Sequence, residues 1–280
     1  MSPGGRADAA LLRRAVATIE AGPGASSAGR AARRLGIARA FDPSLGGGLA
    51  EDTLHEIAPA KPADEAAAMA FALALAAGFL AQKSSSALLI GEHFGAREMG
   101  ALYGPGLIAH GLPLSRLVFV AAPDPLSAFW AMEEALKCGA GAVVVGEIWN
   151  LKAYGLVASR RLLLAARKGR TPGLLVLGSA HGRAESLSTA AETRFEIAAA
   201  PSRRTAAAAG RDLPGPFACS ARLVKARLSF SRDGPGQTVD RGRVVRLEWR
   251  SEERTFDDPA ISLPLAAAPE DRPRAAAQRN

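Results

Sequence analysis

Cysteine is almost absent from this chain, with two in 280 residues, Cys138 and Cys219. They have neither zinc-site nor redox-pair spacing, so a disulfide framework is excluded and a reducing, cytoplasmic setting is the expectation. Aromatic residues make up only 5% of the chain, so small side chains must close the interior at short helix–sheet distances. His55, His93, His110 and His181 fall at no ligand spacing with Cys or paired acids, so no metal is expected. Ser159 and Ser179 lack a nucleophile elbow. No apolar run reaches the roughly 20 residues of a membrane span. The uncharged stretch Ala66 to Ala81 is mostly alanine and is bounded by Asp64, Glu65 and Lys83, which reads as a core helix. Arg13 and Arg14 interrupt the one apolar stretch near the N-terminus, so no export signal is expected.

What is present suits a large α/β domain. The chain is 48% hydrophobic and carries a net charge of +8, enough for a buried core and for contact with nucleic acid or an acidic partner. Asp8 to Glu20 has helical spacing, with Leu11, Leu12, Val16 and Ile19 on one stripe, and Ala21 to Arg34 reads as a linker. From Thr53 to Ala198 strands alternate with helices: Thr53–Ile57, Ala87–Ile90, Leu117–Val120, Ala142–Val145, Leu174–Leu177 and Thr193–Ala198 as strands. Asp124-Pro125 starts a helix to Cys138, and another runs from about Gly155 to Lys168. Tyr103 to Gly106 and Gly111 to Pro113 read as turns. This order implies right-handed crossovers and a mostly parallel sheet. After an Arg-rich loop (202–216), Ala221–Phe230 and Arg243–Trp249 alternate like two antiparallel strands, and from Arg254 onward no periodicity remains, which predicts disorder. The divisions expected are residues 1–40, 41–201, 202–253 and 254–280.

The stretch Ala58 to Glu65 stands where a strand meets a long helix, the place of a phosphate-binding loop. A working loop reads G-x-x-x-x-G-K-[ST]; here the residues are Ala58-Pro59-Ala60-Lys61-Pro62-Ala63-Asp64-Glu65. Ala58 and Ala63 replace the glycines that reach φ > 0, the prolines remove N–H donors, and two carboxylates occupy the Lys and Ser/Thr positions. Asp64 and Glu65 are expected to satisfy the helix N-terminus themselves. No cofactor is expected. A divergent ATPase using Lys61 and Glu147 in shifted registers is the alternative.

Taken with LLIGEHF, YGPGLIAHGLPLSRLVFV, FWAMEEALKCGAGAVVVGEI and SRRLLLAARKGRTPGLLVL, the stretch LGGGLAEDTLHEI resembles the ImuA family, RecA-like proteins of bacterial damage-inducible mutagenesis cassettes. The resemblance covers Leu45 to Pro201. It implies a RecA-like core with an N-terminal helix and a small C-terminal β extension, and SOS-regulated work in translesion synthesis. The implied partners are an ImuB-like polymerase adaptor, an error-prone DNA polymerase and RecA itself. A cell-division inhibitor like SulA is the second alternative. Against RecA, Gly46-Gly47-Gly48-Leu49 match the entry to the nucleotide site, and Glu92 sits where RecA holds a catalytic Glu. Gly146 stands in the register of the metal-binding acid, with Glu147 one residue on. Without the phosphate loop, Glu92 is expected to serve structure, as a helix cap or in an ion pair. Both RecA-type DNA loops are cut down, so DNA contact is expected to be weak or indirect, with Arg160, Arg161, Arg203 and Arg204 as candidate phosphate contacts. Leu11, Leu12, Val16 and Ile19 are candidates for docking a RecA-type surface. Trp249, expected on an edge strand, is the candidate anchor for the adaptor.

Overall fold

The computed structural model describes residues 33–202, 215–227 and 242–258. The expected helix Asp8–Glu20 with Leu11, Leu12, Val16 and Ile19, the cations Arg203 and Arg204, and everything after residue 258 lie outside the described residues. Within them, β1 (Arg34–Leu35) and β2 (Leu49–Ala50) form a small antiparallel pair. The main sheet begins with β3 (Leu54–Pro59), which leads through a 3₁₀ turn (Pro62–Asp64) into α1 (Glu65–Ala81). Then follow β4 (Ala87–Glu92), α2 (His93–Met99), α3 (Gly104–Ala109), β5 (Leu117–Ala122) and α4 (Pro125–Cys138). The core closes with β6 (Val143–Ile148), α5 (Leu156–Gly169), β7 (Gly173–Leu177) and β8 (Thr193–Ala199). The chain continues as β9 (Ala218–Ala226), β10 (Val244–Arg250) and β11 (Thr255–Asp257).

These make one nine-stranded sheet in the order β11-β10-β9-β8-β3-β7-β6-β4-β5. The six strands from β8 to β5 are all parallel to their neighbours, and β9, β10 and β11 extend the sheet antiparallel. The α/β class with a mostly parallel sheet is as expected. Strands buried on both faces explain the continuous apolar runs of β6 and β7.

Helix α1 has no polar stripe because it has no exposed side. The sheet covers one face, while Phe41, Leu45, Leu107, Leu112, Trp249 and Phe256 join the same buried cluster. Each Phe or Leu buried in this way contributes roughly 1.5–3 kcal/mol. One stretch, Pro62–Ala81, is long and apolar enough to cross a membrane, but 78% of it is buried inside the protein. Helices α4 and α5 cover the other face, around Met132, Leu136, Leu162 and Leu175. Asp124 caps α4 by accepting the Ser127 N–H at 2.9 Å, with Pro125 at the first turn, as the sequence indicates.

Three expectations are corrected here. Tyr103 to Gly106, read as a turn, leads into the short helix α3, and α2 stands where no element is expected; both helices are too short for a period to emerge from sequence. The segment after Arg254 is not wholly without structure: Thr255–Asp257 pairs with β10. Trp249 is therefore neither on an edge nor exposed; it is 4% exposed, with Val245 and Leu247 on the same inward face. Its indole N–H donates to the His110 carbonyl at 3.0 Å, and its ring centroid lies 4.9 Å from that of Phe256.

Candidate functional site

The connection at the head of α1 is shorter than the sequence suggests. Ala58 and Pro59 belong to β3, with Pro59 opposite Ile197 of β8, so only Ala60 and Lys61 separate the strand from the 3₁₀ turn. No residue from 58 to 65 has positive φ, so the backbone builds no anion-binding nest there. Lys61 is exposed. Asp64 and Glu65 do not cap their own helix, as had been expected; no side-chain cap is formed. The Asp64 carboxylate instead accepts the Ala199 N–H at 2.9 Å, and Glu65 accepts the Ser179 N–H at 3.0 Å. The turn at Asp64 aims these acids sideways at the ends of β8 and β7.

Beside this junction lies a cavity of about 610 Å³, between the first half of α1 and the C-terminal ends of β4 and β6. Its walls are Met69, Leu73, Leu89, Met99, Phe119 and Val145, and three carboxylates, Glu65, Glu92 and Glu147, reach it. Among the described residues no Lys or Arg lines it, and His93 is the sole basic side chain there. Burial, first, and then the charges of Glu65 and Glu92 push the Glu147 carboxyl up to about 7, with the nearby Trp149 indole acting in the opposite direction. Burial also raises Glu65, partly offset by the Ser179 N–H and the nearby His181.

The register of β6 changes the reading of its acid. A side chain at Gly146 would meet Met132 Sδ at 2.6 Å, on the α4 side of the sheet. Glu147, two residues beyond Val145, lines the cavity with it. The one-residue offset therefore puts the acid into the cavity rather than away from it. Glu92 is buried, and its Oε1 accepts the backbone N–H of Trp149 at 2.9 Å and of Asn150 at 3.4 Å. It ties the end of β4 to the exit from β6; among the described residues it caps no helix and forms no ion pair, so neither of the two roles expected for it is the one it has.

Other predicted positions fall away from the cavity. Gly46, Gly47 and Gly48 all have positive φ, and Gly48 presses on the Leu35 carbonyl, 2.1 Å from where its Cβ would stand. Leu35 packs at Gly78, in the second half of α1, so the glycine run serves the far end of that helix rather than a nucleotide entry. Arg160 is exposed on α5, and Arg161 pairs with Glu133 at 2.5 Å. The two do not converge on the cavity.

Sequence reasoning missed a buried charge network. Arg194, 2% exposed, pairs with Glu56 of β3 at 2.7 Å, and Tyr154 also donates to Glu56. Arg194 Nη1 donates to the carbonyls of Ala184 and Leu187, folding the 178–192 segment onto the core. The pairing joins residues 138 apart in sequence, so no local pattern announces it. Sequence reasoning also missed an exposed apolar rim. Val118 and Phe119 of the edge strand β5 are 46% and 54% exposed, with Phe94, Leu102 and Tyr103 exposed on α2 and the segment that follows it. Leu126 and Trp130 are exposed on α4.

These features define a mostly parallel α/β domain with an acid-lined cavity at the C-terminal ends of its strands. No family model matches the chain. Two curated relatives, Protein ImuA from Caulobacter vibrioides strain NA1000 / CB15N and from strain ATCC 19089 / CIP 103742 / CB 15, are 33% identical to it over 165 residues. The match takes in 56% of this chain and 64% of each relative, so it spans less than two thirds of their length. The resemblance read from the sequence is borne out: this chain is similar to the ImuA proteins over that span. Among solved structures, the RadB recombinase aligns with a TM-score of 0.47 and 16% identity, covering 80% of this chain and 98% of that one. SulA from Pseudomonas aeruginosa aligns with a TM-score of 0.36 and 17% identity, over 45% of this chain and 98% of that one.

Proposed function

We propose that this chain is a non-catalytic, RecA-like accessory protein of damage-induced mutagenesis, working in the cytoplasm by docking partners during translesion DNA synthesis. The observation that carries the reading is the head of α1: a connection of two residues and a 3₁₀ turn, no positive φ, and carboxylates where phosphate would sit. Phosphoryl transfer needs cations and donors around the phosphates, and Glu92 is already engaged by two backbone N–H groups. The ImuA relationship supports the mutagenesis setting, with an ImuB-like adaptor, an error-prone polymerase and RecA as partners. Leu11, Leu12, Val16 and Ile19 remain a proposed docking stripe for a RecA-type partner. The surface for the adaptor moves from buried Trp249 to the exposed rim of Val118, Phe119, Leu126 and Trp130, where Trp has the size and amphipathic character of an interface anchor. Arg160 and Arg161 are left with weak, indirect DNA contact at most.

Co-purification with the adaptor tests this reading. Val118→Lys with Phe119→Lys should reduce capture at least tenfold with the melting temperature within a few degrees of the parent. Full capture by that variant contradicts the assignment of the surface.

A further inference from the structure

Three carboxylates meet at one end of an apolar space of about 610 Å³, while among the described residues no Lys or Arg reaches it and Glu147 forms no ion pair. The chain as a whole carries a net charge of +8, so a concave site with three carboxylates and, of basic side chains, only His93 departs from that balance. Uncompensated carboxylates in an apolar wall are costly to hold ionised. A cation that brings its own apolar stem removes that cost and fills the wall at once.

We propose that this cavity binds a Lys or Arg side chain presented on an apolar segment of a protein partner, its cationic head between Glu147 and Glu65 and its stem against Met69, Leu73 and Leu89. The site would then have exchanged an anionic ligand for a cationic one. Charge complementarity selects the head group, and a flexible methylene stem with a polar tip matches walls that are apolar up to the acids. The source is a protein segment rather than a free amine because the apolar surface does not stop at the cavity. It runs out past Met99 and Leu102 to Tyr103 (73% exposed) and to Phe119 on the sheet edge, more than a small amine covers. The proposal rests on the absence of phosphate binding but not on the mutagenesis role.

The groups facing Glu147 are Glu65 from α1, Glu92 from β4 and Trp149 from its own strand's exit, with His93 at the wall and His181 beside Glu65. The site gains negative charge as pH rises through 7, where Glu147 ionises. Cation binding therefore strengthens with pH.

The test is calorimetry on the full chain with three probes: a blocked nine-residue peptide with one Arg among Leu and Val, the same peptide with Glu for Arg, and hexylguanidinium. The Arg peptide should bind saturably, at least tenfold more tightly than either other probe, and about tenfold more tightly at pH 8 than at pH 6, as the ionised fraction of a group near 7 dictates. Glu147→Gln should cut its affinity at least fivefold and flatten the pH dependence. Met69→Lys, which supplies a tethered cation, should abolish it in a chain with parental thermal stability. Equal binding of the Glu peptide, or of hexylguanidinium, overturns the proposal. ATP run in the same cell separates the two readings: saturable ATP binding sinks the non-catalytic reading, whereas loss of selectivity for the Arg peptide sinks only this one.

Discussion

A methyl group at position 95 would stand 2.4 Å from Trp149 Nε1 and 2.9 Å from Glu147 Oε2. Gly95→Ala must therefore push the Trp149 ring or the short helix α2 away from the cavity floor. It should cost about 1–3 kcal/mol in chemical denaturation and open the cavity to solvent; an unchanged midpoint contradicts this packing. Glu147 gives a second prediction at this scale. Its folded pKa, about 7, lies above its unfolded value near 4.5. The fold thus favours the protonated form, and the stability that this confers is complete below about pH 4.5 and is lost as pH rises through 7. Glu147→Gln keeps the neutral shape at every pH. It should be more stable than the parent by about 3 kcal/mol at pH 8, with most of that gap closed by pH 5. A gap that is constant with pH, or wider at pH 5, contradicts the assignment. His55 shows the opposite sense: fully buried between Thr193 Oγ1 and the Ala50 carbonyl, it is pushed down to about 4 by burial and stays neutral in the fold.

At the scale of elements, the sequence was most legible where one physical signal dominated. Asp124-Pro125 starts a helix because an Asx cap and a proline at the first turn agree, and the structure ends that helix at Cys138, as read. The strands of the parallel core are within a few residues of their expected positions because each is an apolar run bounded by turn residues. Helices α2 and α3 were illegible because six or seven residues span under two turns. Trp249 was misplaced because strand order cannot be read from a strand's own alternation, and β11 was too short to notice. This packing makes a prediction. Deleting residues after 258 should leave the midpoint unchanged, whereas deletion from Arg254 onward removes Phe256 from its stack on Phe71, centroids 5.2 Å apart, and should cost about 3–5 kcal/mol by the measure of a buried Phe. If both truncations behave alike, β11 is not part of the core.

At the scale of the molecule, the site was half legible. The absence of glycines and of a lysine in the loop register could be read directly from Ala58 to Glu65, and the structure adds that the strand takes in Ala58 and Pro59, leaving only Ala60 and Lys61 before the 3₁₀ turn. The convergence of Glu65, Glu92 and Glu147 was not legible, because it depends on which face of β6 carries residue 147 and on β4 lying beside β6. The result is a domain with an acid-lined cavity and an exposed apolar sheet edge. The most direct measurement is calorimetry of the full chain with Mg²⁺ and ATP up to millimolar nucleotide. The account predicts no saturable heat, and none for Asp64→Lys either, since one cation restores neither the loop nor its N–H donors. A micromolar dissociation constant that disappears in Lys61→Ala would contradict it.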